Sequence, residues 1–182
     1  ALEDAQFAQP IDIGSGAGAI FGATGGVMEA ALRTAAEVIE GKPLEKVDFD
    51  EVRGTEGIKF ATYKIGELEL KVAVASGTAN ASKLLKGVED GTYDVQFIEI
   101  MACPGGCVNG GGQPIQPAVV RNNVDLRALR ASILYNADAH KLAYRKSHEN
   151  PLIKKVYEEF LGEPNSHKAH ELLHTHYVKR GL

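Results

Sequence analysis

Cys103 and Cys107 are the two cysteines of this chain, and they lie in a short loop that is rich in glycine. Thiolates are ligands for soft metal ions and for iron–sulfur clusters. Glycines at 105, 106 and 110–112 remove the Cβ atoms that would keep the backbone away from a bulky object, and they permit backbone conformations at positive φ. The pattern therefore favours a loop that wraps a group held by sulfur.

The two cysteines alone leave other interpretations open. Two thiolates are an incomplete ligand set, because iron–sulfur clusters are held by four ligands. Cys103 and Cys107 could instead be reduced, buried small residues. They could also form a disulfide across the tight turn between them.

The loop is expected to follow the carboxyl end of a buried strand. Residues 95–101 are mostly apolar, and the Pro and Gly residues after them prevent the strand from continuing. Two earlier runs of β-forming residues, 57–65 and 68–75, predict a hairpin with a tight two-residue connection.

A helix is predicted between the second and third strands, at residues 78–89. The order strand, helix, strand predicts a βαβ unit with parallel strands and a right-handed crossover. Ligands of open α/β sheets lie beyond the carboxyl ends of the strands. Ser76, Gly77 and Cys103 should therefore lie at one edge of the sheet.

A further helix is predicted between Gly26 and Gly41, and its many apolar residues, with Val38 and Ile39 among them, indicate a buried helix. The turn at residues 21–24 precedes this helix. Free N–H groups and the positive end of the helix dipole would stabilise an anion in front of the turn. The alternative is that the glycines only let a buried helix pack closely on its neighbours.

The chain becomes helical beyond Pro117. Asp125 is a plausible N-cap for a helix from 126 to about 145, and further helices are predicted at 152–161 and after Ser166. The apolar face of the first of these helices is predicted to contain Leu126, Leu129, Ile133 and Leu134.

These elements predict an α/β fold with a parallel-rich mixed sheet, flanking helices and a helical C-terminal belt. Residues 1–124 would form the α/β lobe, and residues 125–182 would form a helical extension of the same domain. The mixed, acidic amino end favours a chain that is cut from, or paired with, something larger.

Two other patterns are weak. Gly14, Gly16 and Ala19 fit a loose dinucleotide-binding pattern, but no acidic residue follows at the end of a second strand. His170 and His174 share a helix face, yet no carboxylate motif of the zinc-protease type accompanies them, so packing or surface hydrogen bonds explain them better.

Composition excludes several partners. The formal net charge is -4, so the chain has no basic excess with which to bind nucleic acid. It contains no apolar run of the ~20 residues that span a bilayer. Two neighbouring cysteines are not the framework of a secreted disulfide scaffold, so a reducing compartment, the cytoplasm, is expected.

Residues 101–114, MACPGGCVNGGGQP, resemble the third signature motif of the FeFe, or iron-only, hydrogenases. The stretch 14–33 is similar to the segment that follows the second motif of that family. Residues 145–150, RKSHEN, and 169–174, AHELLH, are similar to its C-terminal belt. The resemblance extends over nearly the whole chain and points to the C-terminal part of the catalytic domain.

The resemblance implies reversible interconversion of molecular hydrogen with protons and electrons at an H-cluster. This cofactor is a four-iron cubane joined through a cysteine sulfur to a two-iron unit that carries carbon monoxide, cyanide and a bridging dithiolate. By motif, Cys103 would ligate the cubane, and Cys107 would ligate it and bridge to the two-iron unit. The cofactor-binding set implied by the family is Phe21, Gly22, Ala23, Met101, Cys103 and Cys107, with no catalytic side chain assigned in this chain.

The first two signature motifs of the family are absent from this sequence, and with them the other two cubane cysteines, the proton-relay cysteine and a lysine. The chain alone is therefore expected to be inactive and to need the complementary upstream half, on the same polypeptide or on a second chain. An electron carrier such as ferredoxin, or a partner subunit, is also implied. Two alternatives are a hydrogen-sensing relative and a relative of the hydrogenase-like proteins of iron–sulfur cluster assembly, against which the intact glycine run 110–112 argues.

Overall fold

A mixed three-stranded sheet leads into the loop that contains both cysteines. The computed structural model describes residues 3–6, 13–54 and 57–181. Its strands are β1 (Ile58–Ile65), β2 (Leu68–Ser76) and β3 (Phe97–Met101), in the order β1-β2-β3. β1 and β2 form an antiparallel hairpin, whereas β2 and β3 are parallel. The predicted hairpin and parallel pair are confirmed, and β3 begins at 97 rather than at 95.

Helices flank this sheet and follow it in the chain. The helices are α1 (Gly16–Ile20), α2 (Gly26–Glu40), α3 (Thr78–Glu89), α4 (Ala118–Asn123), α5 (Leu126–His140), α6 (Pro151–Val156) and α7 (His167–Leu173). Short 3-10 turns lie at Asp50–Val52, Cys107–Asn109 and Ser147–Glu149, and a π-helical turn at Tyr157–Leu161 continues α6. None of the helices in the described part of the chain combines the length and apolar character needed to cross a bilayer.

β2 is the central strand, and its side chains alternate between two cores because successive residues of a strand point to opposite faces. A strand that is buried on both faces is expected to be mostly apolar. The second half of the β2 sequence, LELKVAVAS, has this character. The core on the α2 side contains Met28, Leu32, Ala36, Val72 and Val74, and the core on the α3 side contains Ala73, Ala75, Ala81 and Leu84.

The predicted limits of α2 are confirmed, since Gly41 ends the helix in the left-handed conformation, with φ of 65°. The expectation that the whole helix is buried was wrong. Val38 and Ile39 are exposed near its carboxyl end, beyond the residues that pack on the sheet.

The start of α5 is confirmed, because the Asp125 carboxylate accepts hydrogen bonds from the N–H groups of Arg127 and Ala128, each at 3.0 Å. The helix ends at 140 and not near 145. Its predicted apolar face was partly wrong, because Leu129 and Ile133 are 55% and 64% exposed.

A buried charge network explains which face of α5 packs inward. Arg33, which is fully buried, donates to Asp138 of α5 and to Glu29 at 2.8 Å. Arg145 donates to Asp138 at 2.6 Å and to Asp48 at 2.7 Å. Burial opposes the charge of Asp138, but the hydrogen bonds from the two guanidinium groups outweigh it and lower the pKa of this carboxyl.

The glycine run at residues 14–18 leads into α1, a short helix that sequence patterns did not predict. Ser15 caps it by accepting the Gly18 N–H at 3.2 Å. A Cβ atom on Gly16 would lie 1.8 Å from Asp138 Oδ1, so close packing on α5 explains this glycine.

The chain divides into two compact units, Gly14–Ser147 and Ala1–Ile13 with His148–Leu182. In the second unit, Asn150 caps α6 by accepting the Leu152 N–H at 2.9 Å, and Ser166 caps α7 as predicted. α5 belongs to the first unit. The division into segments 1–124 and 125–182 stays a prediction.

Candidate functional site

The candidate site begins where β3 ends. The Met101 carbonyl accepts a hydrogen bond from the Gly77 N–H at 2.7 Å, which ties the ends of β3 and β2 together. The Cys103 carbonyl then accepts the Gly106 N–H at 2.9 Å and closes a tight turn. Cys107 opens the following 3-10 turn, so Cys103 begins the tight turn and Cys107 comes directly after it. The prediction that Ser76, Gly77 and Cys103 share one edge of the sheet is confirmed.

Both thiols are free and exposed to solvent. This finding excludes a disulfide between Cys103 and Cys107, and it excludes the interpretation that they are buried small residues. Across the residues that the structure describes, no cluster of three or more His, Cys, Asp or Glu side chains could hold a metal ion. The site therefore offers two sulfur ligands, and a four-ligand cluster bound here would need two more from protein outside these residues.

Gly106 allows the cysteine loop to pack directly on the turn at residues 21–24. A Cβ atom on Gly106, whose φ is 96°, would lie 2.6 Å from the carbonyl oxygen of Gly22. The Val108 N–H donates to the same Gly22 carbonyl at 3.0 Å. The Thr24 N–H donates to the Gly105 carbonyl at 3.2 Å. The loop and the turn thus form one backbone-bonded structure that no side chain at 106 would permit.

A buried hydroxyl pair supports this structure from the sheet. Ser76 Oγ accepts the Gly105 N–H at 3.0 Å and lies 3.4 Å from Thr24 Oγ1. Both residues are buried. Ser76 was predicted to lie at this edge of the sheet, but no role was predicted for it. Nothing in the sequence pointed to Thr24.

The N–H groups of Gly25, Gly26 and Met28 at the amino end of α2 already have protein acceptors, so these three are not free for an anion, contrary to the expectation. The Glu99 carboxylate of β3 accepts hydrogen bonds from the N–H groups of Gly25 and Met28, each at 2.7 Å. The Gly26 N–H donates to the Ala23 carbonyl at 3.0 Å. A protein carboxylate therefore already occupies the favourable position at the helix end.

Glu99 was missed by sequence reasoning. It is buried, and this burial raises the pKa of its carboxyl, while the two backbone hydrogen bonds act in the opposite direction. A single acidic residue within the apolar strand FIEIM was the available signal, because a buried carboxylate requires donors.

The structure brings part of the predicted cofactor-binding set together. Gly22 and Ala23 lie against the backbone of Gly106, between the two cysteines. The Phe21 side chain is exposed beside this contact, Met101 is half-buried at the end of β3, and Ala23 is buried. What these residues do toward a cofactor stays a prediction.

A cleft of about 620 Å³ adjoins the turn, and Ala23 and Thr24 form part of its lining. Neither cysteine lines it. Tyr135 of α5 lines the cleft, and its buried hydroxyl has no hydrogen-bond partner within the described residues. Burial raises the pKa of the Tyr135 phenol, and the Arg53 guanidinium lies 4.4 Å from the centre of its ring.

The two weak patterns gain no ligand-binding role. The rings of His170 and His174 stack at 4.1 Å between centroids, which agrees with a packing role. Gly16, the second glycine of the loose dinucleotide pattern, packs on Asp138 as described above.

The donor set and backbone fit an iron–sulfur group in part. Two exposed thiols at a carboxyl sheet edge are suitable ligands. The glycines at 105 and 106 do not leave open space, because Arg127 and the turn at residues 21–24 fill the positions that their Cβ atoms would take. The arrangement can hold one side of a sulfur-bound group.

Comparison with known proteins gives two family matches. The family described as "Iron only hydrogenase large subunit, C-terminal domain" matches residues 1–111. The family described as "Iron hydrogenase small subunit" matches residues 124–180.

Similar curated proteins and solved structures carry related names. The chain is 51% identical over 179 residues to the "NADP-reducing hydrogenase subunit HndD" of Solidesulfovibrio fructosivorans, covering 98% of this chain and 30% of the relative. It is 48% identical to "Iron hydrogenase 1" of Clostridium pasteurianum, covering 98% of this chain and 31% of the relative. A solved structure of the FeFe-hydrogenase HydA1 from Chlamydomonas reinhardtii is 42% identical, with a TM-score of 0.70, and the match covers 97% of this chain and 50% of that chain.

A relative of another kind is also similar. "Protein NAR1" of Arabidopsis thaliana is 33% identical over 160 residues, covering 87% of this chain and 33% of the relative. The chain thus spans about a third of the curated relatives that it matches and about half of the solved chain.

Proposed function

This chain belongs to the iron-only hydrogenase family, as a C-terminal region of the large subunit, and from that premise we propose that it is part of a catalytic domain that interconverts hydrogen with protons and electrons. One observation carries the proposal. Two free, exposed thiols flank the glycines of a tight turn at the carboxyl edge of a parallel strand pair. That arrangement suits a cofactor held by sulfur.

The family implies an iron–sulfur cofactor, and the cofactor proposed is the H-cluster. When bound, this group supplies the open iron site at which the hydrogen chemistry occurs. Cys103 would ligate the cubane. Cys107 would ligate it as well and bridge to the two-iron unit, so its sulfur would be this chain's covalent hold on that unit.

The other residues of the site would position the cysteine loop and enclose the cofactor. The contact between Gly106 and Gly22 holds the cysteine loop against the turn. This contact fixes the backbone from which the two cysteine side chains extend. Phe21 and Met101 would line the pocket of the two-iron unit and exclude water from it, and the backbone of residues 21–23 would face its ligands. The protein's share is orientation and exclusion of solvent, with no proton-transferring side chain assigned here.

The domain is completed by protein outside this chain. Two thiols are half of a cubane's ligand set, and the matched solved chain is about twice as long as the matched region. We therefore propose a complementary half that supplies the remaining cysteines, and an electron carrier such as ferredoxin or a partner subunit. This chain alone would be inactive. The free thiols suit a reducing compartment, and the cytoplasm remains the proposed location.

Similarity to Protein NAR1 supports a second candidate function. Some hydrogenase-like proteins of iron–sulfur cluster assembly keep cubane cysteines without the two-iron unit. A chain of that kind would hold iron and sulfide and would turn over no hydrogen.

One reconstitution separates these functions. The chain is combined with the part of HndD that it does not match, iron, sulfide and a supplied two-iron unit. A hydrogenase should then show infrared bands of iron-bound carbon monoxide and cyanide, and it should evolve hydrogen from a reduced dye. Cys107→Ser should abolish both, whereas Gln116→Ala, outside the site, should not. Iron and sulfide without these bands would favour the assembly function.

A further inference from the structure

The loop that contains the cysteines has no charged residue of its own. Residues 100–120 include no Lys, Arg, Asp or Glu. The acidic residues on either side, Glu99 and Asp125, accept hydrogen bonds from backbone N–H groups of α2 and α5. Any fixed charge that faces a group bound at Cys103 and Cys107 must therefore come from another element.

Helix α5 places the side chain of Arg127 on this loop. A Cβ atom on Gly105, between the two cysteines, would lie 2.8 Å from Arg127 Cδ and 3.2 Å from its Cγ. The aliphatic stem of Arg127 thus packs on the turn, and its guanidinium group begins at the next atom. Arg127 is exposed, and with Ala102 and Pro104 it lines a hollow of about 380 Å³ beside the loop.

Arg130, about one helical turn further along α5, contacts the same loop. Its guanidinium group donates to the Val108 carbonyl at 3.1 Å and to the Pro114 carbonyl at 3.0 Å. Both contacts are to uncharged backbone atoms, so they leave the positive charge of Arg130 uncompensated.

Neither of these arginines has an acidic partner. Within the residues that the structure describes, no carboxylate pairs with Arg127 or Arg130. Three other arginines, Arg33, Arg53 and Arg145, each form ion pairs with Asp or Glu. Two unpaired cations beside an uncharged loop that presents two thiols favour an anionic group at that loop.

We propose that Arg127 and Arg130 are the electrostatic partners of the anionic group bound at Cys103 and Cys107, and that Arg127 raises the reduction potential of that group. This inference rests on the proposed function, because it requires a cluster at the two thiols. A cubane held by thiolates is anionic, and reduction adds one more negative charge. A fixed cation beside the cubane therefore favours its reduced form.

Arg127 is the residue that separates charge from loop structure, because Arg130 also holds the loop backbone through its two hydrogen bonds. Arg127→Gln removes the positive charge and keeps most of the stem that packs on Gly105. Arg127→Lys keeps the charge. Lys86→Gln, which removes an exposed cation in the last turn of α3, is the matched control. Circular dichroism of each variant establishes that the fold is kept.

The electrostatic effect on the thiols is measurable in the chain alone, without a cluster. The reaction rates of two disulfide reagents are compared, namely dithiobis(nitrobenzoate), which is a dianion at neutral pH, and the neutral dithiodipyridine. The ratio of the two rates largely removes the access and intrinsic reactivity of the thiols and retains the effect of local charge. Arg127→Gln should lower this ratio by about threefold, whereas Arg127→Lys and Lys86→Gln should leave it unchanged.

The reduction potential tests the consequence for a bound cubane. The chain is combined with the part of HndD that it does not match, iron and sulfide, and reduction of the cluster is followed by electron paramagnetic resonance. Arg127→Gln should shift the equilibrium toward the oxidised cubane by about threefold, which is about 30 mV for one electron. Arg127→Lys and Lys86→Gln should keep the potential of the unmodified chain.

The outcomes separate this inference from the function beneath it. A lower rate ratio and a lower potential in Arg127→Gln, both restored in Arg127→Lys, support the inference. An unchanged value in either measurement overturns it and leaves the proposed function standing. Equal shifts in Arg127→Gln and Arg127→Lys overturn it as well, because packing and not charge would then be responsible. An unmodified chain that gains no cluster with its complementary half overturns both.

Discussion

The Glu99 carboxylate of β3 accepts a hydrogen bond from the Met28 N–H at the start of α2, at 2.7 Å. A second bond from the Gly25 N–H joins the same carboxylate to the end of the turn that packs on the cysteine loop. One buried side chain thus connects the strand that leads to Cys103 with the turn that backs it. The predictions that follow concern this connection, the loop and the buried charges around α5.

Glu99→Ala should lower the free energy of unfolding by about 1–3 kcal/mol, because it leaves two buried N–H groups without an acceptor. Glu99→Gln should cost less, since one acceptor oxygen remains. Urea denaturation measures both. Glu89→Ala, an exposed change at the end of α3, is the control, and equal effects of Glu99→Ala and Glu89→Ala would contradict the assigned role.

Gly106→Ala should disturb the site, because the added Cβ would meet the Gly22 carbonyl oxygen at 2.6 Å and the residue has φ of 96°. We expect a loss of about 1–3 kcal/mol in stability and lower iron uptake on reconstitution. Gly111→Ala is the matched control in the same loop, where no atom lies within 4 Å of an added Cβ. If the two variants take up iron equally, the packing of loop on turn is not what shapes the site.

Both thiols should react promptly with a thiol reagent in the chain alone, because both are free and exposed. Titration with a chromogenic disulfide is expected to give about two equivalents. Cys103→Ser and Cys107→Ser should each remove one of them. After reconstitution with the complementary half and cluster, neither thiol should react, and continued reactivity of both would argue against ligation by sulfur.

Acid should weaken the fold through Asp138. Its pKa is lowered in the folded chain, so its contribution to stability is present above the unfolded pKa of about 3.9 and is lost as pH falls through the folded value. Asp138→Asn should therefore destabilise the chain near neutral pH and flatten the acid limb of its stability curve.

Urea denaturation between pH 7 and pH 3 measures this difference. Asp94→Asn, which removes an exposed carboxylate, is the control and should keep the steep acid limb. A steep limb that persists in Asp138→Asn would place the acid sensitivity elsewhere.

The sheet and its loop were predictable because each depends on local patterns. The limits of α3, the hairpin and the parallel pairing follow from apolar runs and turn residues that act over a few positions. The cysteine loop was predicted from the Pro and Gly residues that come after an apolar strand. Its identity as part of a hydrogenase came from the motif at 101–114, since two cysteines alone left three interpretations open.

What sequence patterns could not give depends on contacts between distant segments. The bonds of Glu99 to Gly25 and Met28 reverse the expected role of the α2 amino end, and no local pattern records which carboxylate caps a helix. The inward face of α5 is set by Asp138 and its arginine partners rather than by apolar periodicity. Leu129 and Ile133 were assigned inward because periodicity does not tell an internal core from a surface that another protein covers.

The hydrogen bonds that shape the cysteine turn join protein atoms to protein atoms: Gly106 to Cys103, Val108 to Gly22 and Gly105 to Ser76. Metal-dependent folding, as in zinc fingers, starts from a disordered ligand loop and spends binding free energy on ordering it. Here protein contacts alone preorganise the cysteine turn, so the proposed cofactor would bind this loop with little further ordering of its backbone.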